Sequence, residues 1–144
     1  MVSNVLDTYK LEGKVAVITG GGGDLCGCMA LALGSIGAKV AVLDISLDKA
    51  EKTAAAIQQS GGTAMAVACD VLNQGQLESC HEQVCSTWGA VDLLIPGAGG
   101  NDPRGTTDQE YLSLKELESE TKGFFDLDLA GFRQVFDLNF LGTF

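Results

Sequence analysis

A chain of 144 residues with 46% apolar and 19% charged side chains is one globular domain or a piece of one. Its formal net charge of −10 excludes a surface built to neutralise phosphates, so neither nucleic acid nor an anionic membrane is an expected partner. No apolar run approaches the roughly 18 residues that span a bilayer. The N-terminus MVSNVLDTYKLEGK has no signal core. A cytoplasmic location is expected, with the five cysteines (Cys26, Cys28, Cys69, Cys80, Cys85) as reduced thiols, because they show no disulfide-framework spacing.

In chain order, Val15 to Ile18 is a short β-branched run suited to a strand buried on both faces, broken by Gly20 to Gly23. Leu25 to Ile36 has helical spacing and ends at Gly34 and Gly37. Lys39 to Leu43 predicts a second strand, closing at Asp44. Ser46 then stands as N-cap of a helix over LDKAEKTAAAIQQ, stopped by Ser60-Gly61-Gly62. Thr63 to Cys69 predicts the third strand, ending at Asp70. Asn73 caps a helix running to about Trp88, and Val91 to Ile95 predicts the fourth strand, closed by Pro96 to Gly100. Residues 101–122 read as a long polar loop with a short helix around Glu110 to Glu118. Leu129, Phe132, Val135, Phe136 and Phe140 fall on one stripe of a final helix.

The alternation βαβαβαβ predicts an α/β fold, a doubly wound parallel sheet of Rossmann type, with ligands at the carboxyl ends of its strands. Residues 1–13 read as an N-terminal extension. Residues 14–144 read as the N-terminal part of a single dinucleotide-binding domain, truncated after the fourth strand and the following helix.

A strand running into glycines and then a helix is a phosphate-binding arrangement. The helix start presents unpaired N–H groups and a positive partial charge. The strict GxGxxG spacing is absent, since the sixth position from Gly20 is Leu25. The glycines alone would also suit a plain tight turn. Asp44, 24 residues after Gly20, adds an acid placed to accept hydrogen bonds from ribose hydroxyls. It would repel a 2′-phosphate by about 1 kcal/mol in water and about 4 kcal/mol at an intermediate dielectric. No Lys or Arg lies between Gly20 and Ile36 to hold that phosphate. NAD is therefore expected as cofactor in preference to NADP. Asp70 and the Ala98-Gly99 pair end the third and fourth strands at the same sheet edge.

These residues resemble the short-chain dehydrogenase/reductase family from Leu11 onward. The likeness rests on Thr19-Gly20 with the following glycines, Asp44, Asp70-Val71, Gly97-Ala98-Gly99, and Asn139 in LNFLGT. It implies cofactor contacts from Gly20, Gly22, Gly23, Leu25, Asp44, Asp70, Val71, Ala98 and Gly99. The loop takes the pyrophosphate, Asp44 selects NAD, and Asp70 meets the adenine. It further implies that Asn139 belongs to an Asn-Ser-Tyr-Lys catalytic tetrad, and that the final helix packs in a subunit interface of a homo-oligomer. The family's TGxxxGxG appears here as TGGGGDLCG, with Asp24 and Cys26 where glycines are common, so individual glycine contacts stay unassigned. Its NNAG appears as Pro96-Gly97-Ala98-Gly99. Within the family, GGGGDLCG, GAGGNDPRGTT and FFDLDLAGFRQVFDLNFLGT look most like the sugar-acid oxidoreductases of the D-mannonate/fructuronate type. That implies hydride transfer between nicotinamide and a secondary alcohol or ketone of a sugar acid or polyol. Arg104 is a candidate partner for a substrate carboxylate.

Tyr111-Leu112-Ser113-Leu114-Lys115 has the family's YxxxK spacing, yet it precedes Asn139, and the position 13 before Tyr111, where a serine belongs, is Ala98. It is read as coincidental. The serine, tyrosine and lysine are expected beyond Phe144, and the 144-residue piece alone is expected to be inactive. A catalytically silent dinucleotide-binding module, and a doubly wound domain with no cofactor, are the alternatives. Cys80, His81 and Cys85 lack the paired CxxC spacing of a zinc site, and no metal is expected.

Overall fold

The computed structural model describes residues 9–111 and 121–144, which fall into two compact units, Met1–Ala98 and Gly99–Phe144. In the first unit, β1 (Val15–Thr19), β2 (Lys39–Asp44), β3 (Thr63–Ala68) and β4 (Leu93–Pro96) form one parallel sheet in the order β3-β2-β1-β4. Val15 lies opposite Lys39, Val40 opposite Ala64, and Ala16 opposite Leu93. The connections are α1 (Asp24–Ser35), α2 (Leu47–Gln59) and α3 (Gln74–Trp88). Ala16, Ile18, Val40 and Val42 pack with Ala30 of α1 and with Ala50, Ala54 and Ile57 of α2. The alternate residues Val15, Val17, Ala41, Leu43 and Val67 pack with Cys80 and Val84 of α3. Helices thus cover both faces, which is why these strands read as unbroken apolar runs.

The helix α1 meets α2 through small residues. Gly27, Ala30 and Gly34 are its buried positions, whereas Leu25 and Met29 are exposed. A Cβ on Gly34 would lie 2.6 Å from Ile57 Cγ2, so backbone and side chain are already in contact. The α2 boundaries are those read from the sequence, but Ser46 makes no side-chain cap; its N–H donates to Asp44 Oδ1 at 2.9 Å. Asn73 does cap α3, accepting from the Gln76 N–H at 3.1 Å. The strand β4 starts two residues later than expected, at Leu93; just before it, Asp92 donates its N–H to Val15 O at 2.9 Å. Its carboxylate takes the Val15 N–H at 2.9 Å and the Lys14 ammonium at 2.7 Å, an ion pair that holds the Asp92 carboxyl below its ordinary value. Leu11, read as part of an extension, already belongs to the fold: it packs on the core and donates its N–H to Ile36 O at 2.8 Å.

In the second unit, α4 (Leu129–Asn139) begins at Asp128, whose carboxylate accepts the Ala130 N–H at 2.8 Å. Gly131 is buried against a 3₁₀ turn at Pro103–Gly105, where a Cβ on Gly131 would stand 2.6 Å from the Gly105 nitrogen. The loop after β4 therefore holds a turn pressed backbone to backbone on α4. The helix expected around Glu110 to Glu118 falls almost wholly outside the described residues. Along α4, Phe132, Phe136 and Phe140 are 57%, 54% and 50% exposed. Among the described residues, no helix is long and apolar enough to cross a membrane.

Candidate functional site

The carboxyl ends of the four strands bring the first unit's predicted residues to one edge. The backbone turns sharply at Gly20, whose φ of 65° is in the left-handed region. A Cβ there would lie 2.9 Å from Ala98 Cα and from Gly97 O. A Cβ on Gly22 would lie 2.9 Å from Asp44 Oδ2 and still closer to Lys49 Cβ. The chain's own packing thus already requires glycine at both positions. Gly23 differs: its nearest neighbour would be Gly20 O at 3.3 Å, and as N-cap of α1 it brings no side chain to the helix's first N–H groups. Those groups have no intrahelical acceptor and favour an anion. Leu25, in the same turn, is 78% exposed.

Asp44 closes this loop. Its Oδ2 accepts the Gly22 N–H at 3.0 Å and its Oδ1 accepts the Ser46 N–H at 2.9 Å. An ionised carboxylate has about four acceptor directions, so roughly two remain for hydroxyl groups of a ligand. The Asp44 carbonyl takes the Cys69 N–H at 2.9 Å, which ties the end of β3 to this corner. Asp70 follows, half-buried, with Oδ1 on the Leu72 N–H at 2.9 Å. Its neighbour Val71 is buried. Burial, and next a hydrogen bond with the Cys80 thiol, push the Cys69 thiol up to about 12. Cys80, for its part, lies buried with its thiol on Ala68 O, while His81 and Cys85 pair at 3.3 Å one helical turn apart. Among the described residues, no group of three or more His, Cys, Asp or Glu side chains is placed to hold a metal.

Sequence reading noted Thr19 only as part of a motif. The structure makes it the joint of the edge. It is the buried polar residue of the sheet, and its Oγ1 accepts the N–H groups of both Gly97 and Ala98 at 3.1 Å. A polar residue ending an otherwise apolar strand was the available signal.

In the second unit, Asn139 is fixed at the end of α4. Its Nδ2 donates to Gly100 O and Val135 O, both at 2.7 Å, and its Oδ1 accepts the Gly100 N–H at 3.1 Å. Gly99 has no room for a side chain, since a Cβ would lie 2.6 Å from that same Oδ1. Arg104 is already engaged: its Nη2 donates to Asp102 Oδ2 at 2.7 Å and its Nε to Asp102 Oδ1 at 3.1 Å. Tyr111 is exposed, and Lys115 lies outside the described residues.

The Arg104 side chain, and next its backbone N–H, hold the Asp102 carboxyl well down, to about 2. A depressed value means that the pair's contribution to stability is complete above the ordinary value of 3.8 and is lost as pH falls toward about 2. Carbon-detected titration of Asp102 should show a midpoint near 2, returning toward 3.8 in Arg104→Ala. A midpoint unmoved by that change would remove the pair as the cause.

A family model described as short chain dehydrogenase matches residues 14–144. The chain belongs to the short-chain dehydrogenase family. Among short-chain dehydrogenases, the NAD-bound crystal structure of a protein from Haemophilus influenzae, provisionally named a D-mannonate oxidoreductase, superposes with a TM-score of 0.90 at 42% identity. That comparison covers 96% of this chain and 49% of the other. An uncharacterized oxidoreductase, UxuB, of Bacillus subtilis is 48% identical over 94% of this chain and 48% of its own length. The 7alpha-hydroxysteroid dehydrogenase of Escherichia coli is 33% identical over 96% of this chain and 47% of its own length. The chain therefore spans about half the length of the curated relatives it matches.

Proposed function

We propose that residues 14–144 form the N-terminal part of one dinucleotide-binding domain. The protein would be an NAD-dependent, cytoplasmic oxidoreductase that acts on a secondary alcohol or ketone of a sugar acid or polyol. The observation that carries the reading is Asp44, whose carboxylate is fixed by the Gly22 and Ser46 N–H groups beside the uncapped start of α1. The site fits a dinucleotide: bare helix N–H groups for a pyrophosphate, and free acceptor directions on Asp44 for ribose hydroxyls. Asp24, in the first turn of α1, supplies no cation to oppose that reading's preference against a further phosphate. Asp70 and Val71 border the adenine end, and Ala98 and Gly99 the end toward the substrate. The bound nicotinamide would supply or accept the hydride. Asn139, held on Gly100, would be the asparagine of the catalytic tetrad that the family resemblance implies.

The Haemophilus protein, provisionally named a D-mannonate oxidoreductase and bound to NAD, supports a sugar acid as substrate and NAD as cofactor. The aromatic stripe of Phe132, Phe136 and Phe140, exposed in this structure, supports a homo-oligomer because subunit interfaces cover such apolar patches.

Calorimetric titration of the full-length protein with NAD and with NADP tests the reading. NAD is expected to bind at least about tenfold more tightly, the size of one charge repulsion of about 1.4 kcal/mol. Failure to bind either dinucleotide, or tighter binding of NADP, would overturn it. Binding without turnover of any polyol or sugar acid would leave a silent binding module.

A further inference from the structure

We infer that Cys26 is a positioning residue for the dinucleotide crevice, acting through Gly97; this rests on the reading just proposed. Cys26 stands in the first turn of α1, half-buried, and its thiol donates to Gly97 O at 3.6 Å. A Cβ built on Gly97 would overlap the Cys26 Sγ outright, with Thr19 O the next neighbour at 3.0 Å. The thiol therefore fills the space that any side chain at position 97 would need. The two departures from the family pattern, Cys26 for glycine and Gly97 for asparagine, are two halves of one fit.

That fit is coupled to the rest of the sheet edge. The Gly97 N–H sits on Thr19 Oγ1, together with that of Ala98. The Gly97 carbonyl and Ala98 Cα are the atoms that leave Gly20 no room for a Cβ. One sulfur atom thus sets the gap between the start of α1 and the turn after β4. These are the two walls between which a dinucleotide would enter. A side chain added at 97 has to push one wall away. Shortening Cys26 removes the sulfur overlap and leaves the tight 3.0 Å approach to Thr19 O.

The test is a double-mutant cycle on the full-length protein, with NAD affinity and thermal midpoint measured for Gly97→Ala, Cys26→Gly and the double variant. Affinities are compared at a temperature where all four proteins are folded. Gly97→Ala is expected to weaken NAD binding about tenfold or more, and the double variant to bind within about threefold of Cys26→Gly, a coupling typical of residues in contact. A purely structural pair would lower the thermal midpoint and leave the dissociation constant of the folded protein unchanged, which would overturn the inference. So would a double variant no better than Gly97→Ala. If the parent binds no dinucleotide at all, the proposed function fails and this inference fails with it; if the parent binds NAD but the cycle shows no coupling, only the inference fails.

Discussion

Replacing Asp44 by alanine is expected to weaken NAD binding by roughly 10- to 100-fold, the range of 1.5–3 kcal/mol for hydrogen bonds to a charged group. Three effects act together. The Gly22 and Ser46 N–H groups lose their acceptor, so the loop that turns at Gly20 loses its clasp. The acceptor for ribose hydroxyls disappears. The negative charge that disfavours a 2′-phosphate is removed as well, so the NAD to NADP affinity ratio should fall toward unity. Asparagine at 44 keeps one acceptor oxygen and should lose less NAD affinity than alanine while losing the same discrimination. Titration of both variants with both dinucleotides separates these contributions. An unchanged NAD to NADP ratio in Asp44→Ala would show that the carboxylate does not select the cofactor.

Ile57→Ala should be among the most damaging single changes to the fold. Ile57 is 1% exposed and packs in the cluster shared by β1, β2, α1 and α2. Truncating such a residue costs about 3–4 kcal/mol in lost transfer energy and cavity formation, which lowers the melting temperature by roughly 10 °C at this chain size. The site is tight on two sides. A Cβ on Gly34 would stand 2.6 Å from Ile57 Cγ2, and one on Gly62 2.7 Å from the same atom. Gly34→Ala is therefore expected to cost about 1–3 kcal/mol by overpacking. Combined with Ile57→Ala, it should cost far less than the two single changes added, because the new methyl enters the new cavity. Calorimetric melting of the three proteins decides this. A melting temperature for Ile57→Ala close to that of the parent would contradict the packing described.

Most of the first unit was legible in the sequence, because its elements are announced by residues that act locally. Asn73 caps α3 as its position implied, and Ser60-Gly61 ends α2 where the apolar spacing stops. The doubly wound parallel sheet followed from the alternation of strands and helices. What escaped was decided by partners far away in the chain. Asp92 is drawn into a clamp with Lys14 and Val15, partners 78 and 77 positions away. Ser46 makes no side-chain cap, and its own N–H is held by Asp44 Oδ1 instead. On α1, the residues that look most like a core face, Leu25 and Met29, stay at the surface, because only Gly27, Ala30 and Gly34 are small enough for the approach to α2.

The candidate site divides the same way. Gly22 and Asp44, both candidates in the sequence, touch one another. Thr19 stands out locally as a polar residue ending an apolar strand, but the two backbone groups it accepts are 78 and 79 positions away. The Arg104 guanidinium, attractive as a free cation in a polar loop, turned out to have a partner two residues back in Asp102. That leaves the basis for assigning it to a substrate carboxylate weaker than its sequence context suggested.

The Asp92 clamp has a consequence for the order in which the chain assembles. The pairings of β1 with β2 and of β2 with β3 each join residues 24 apart, Val15 with Lys39 and Lys39 with Thr63. The pairing of β1 with β4, and the Val15–Asp92 bond that starts it, closes a loop of 77 residues. By chain statistics that closure costs about 1 kcal/mol more than either of the others. On that ground the three strands nearer the N-terminus are expected to pair before β4 docks on β1.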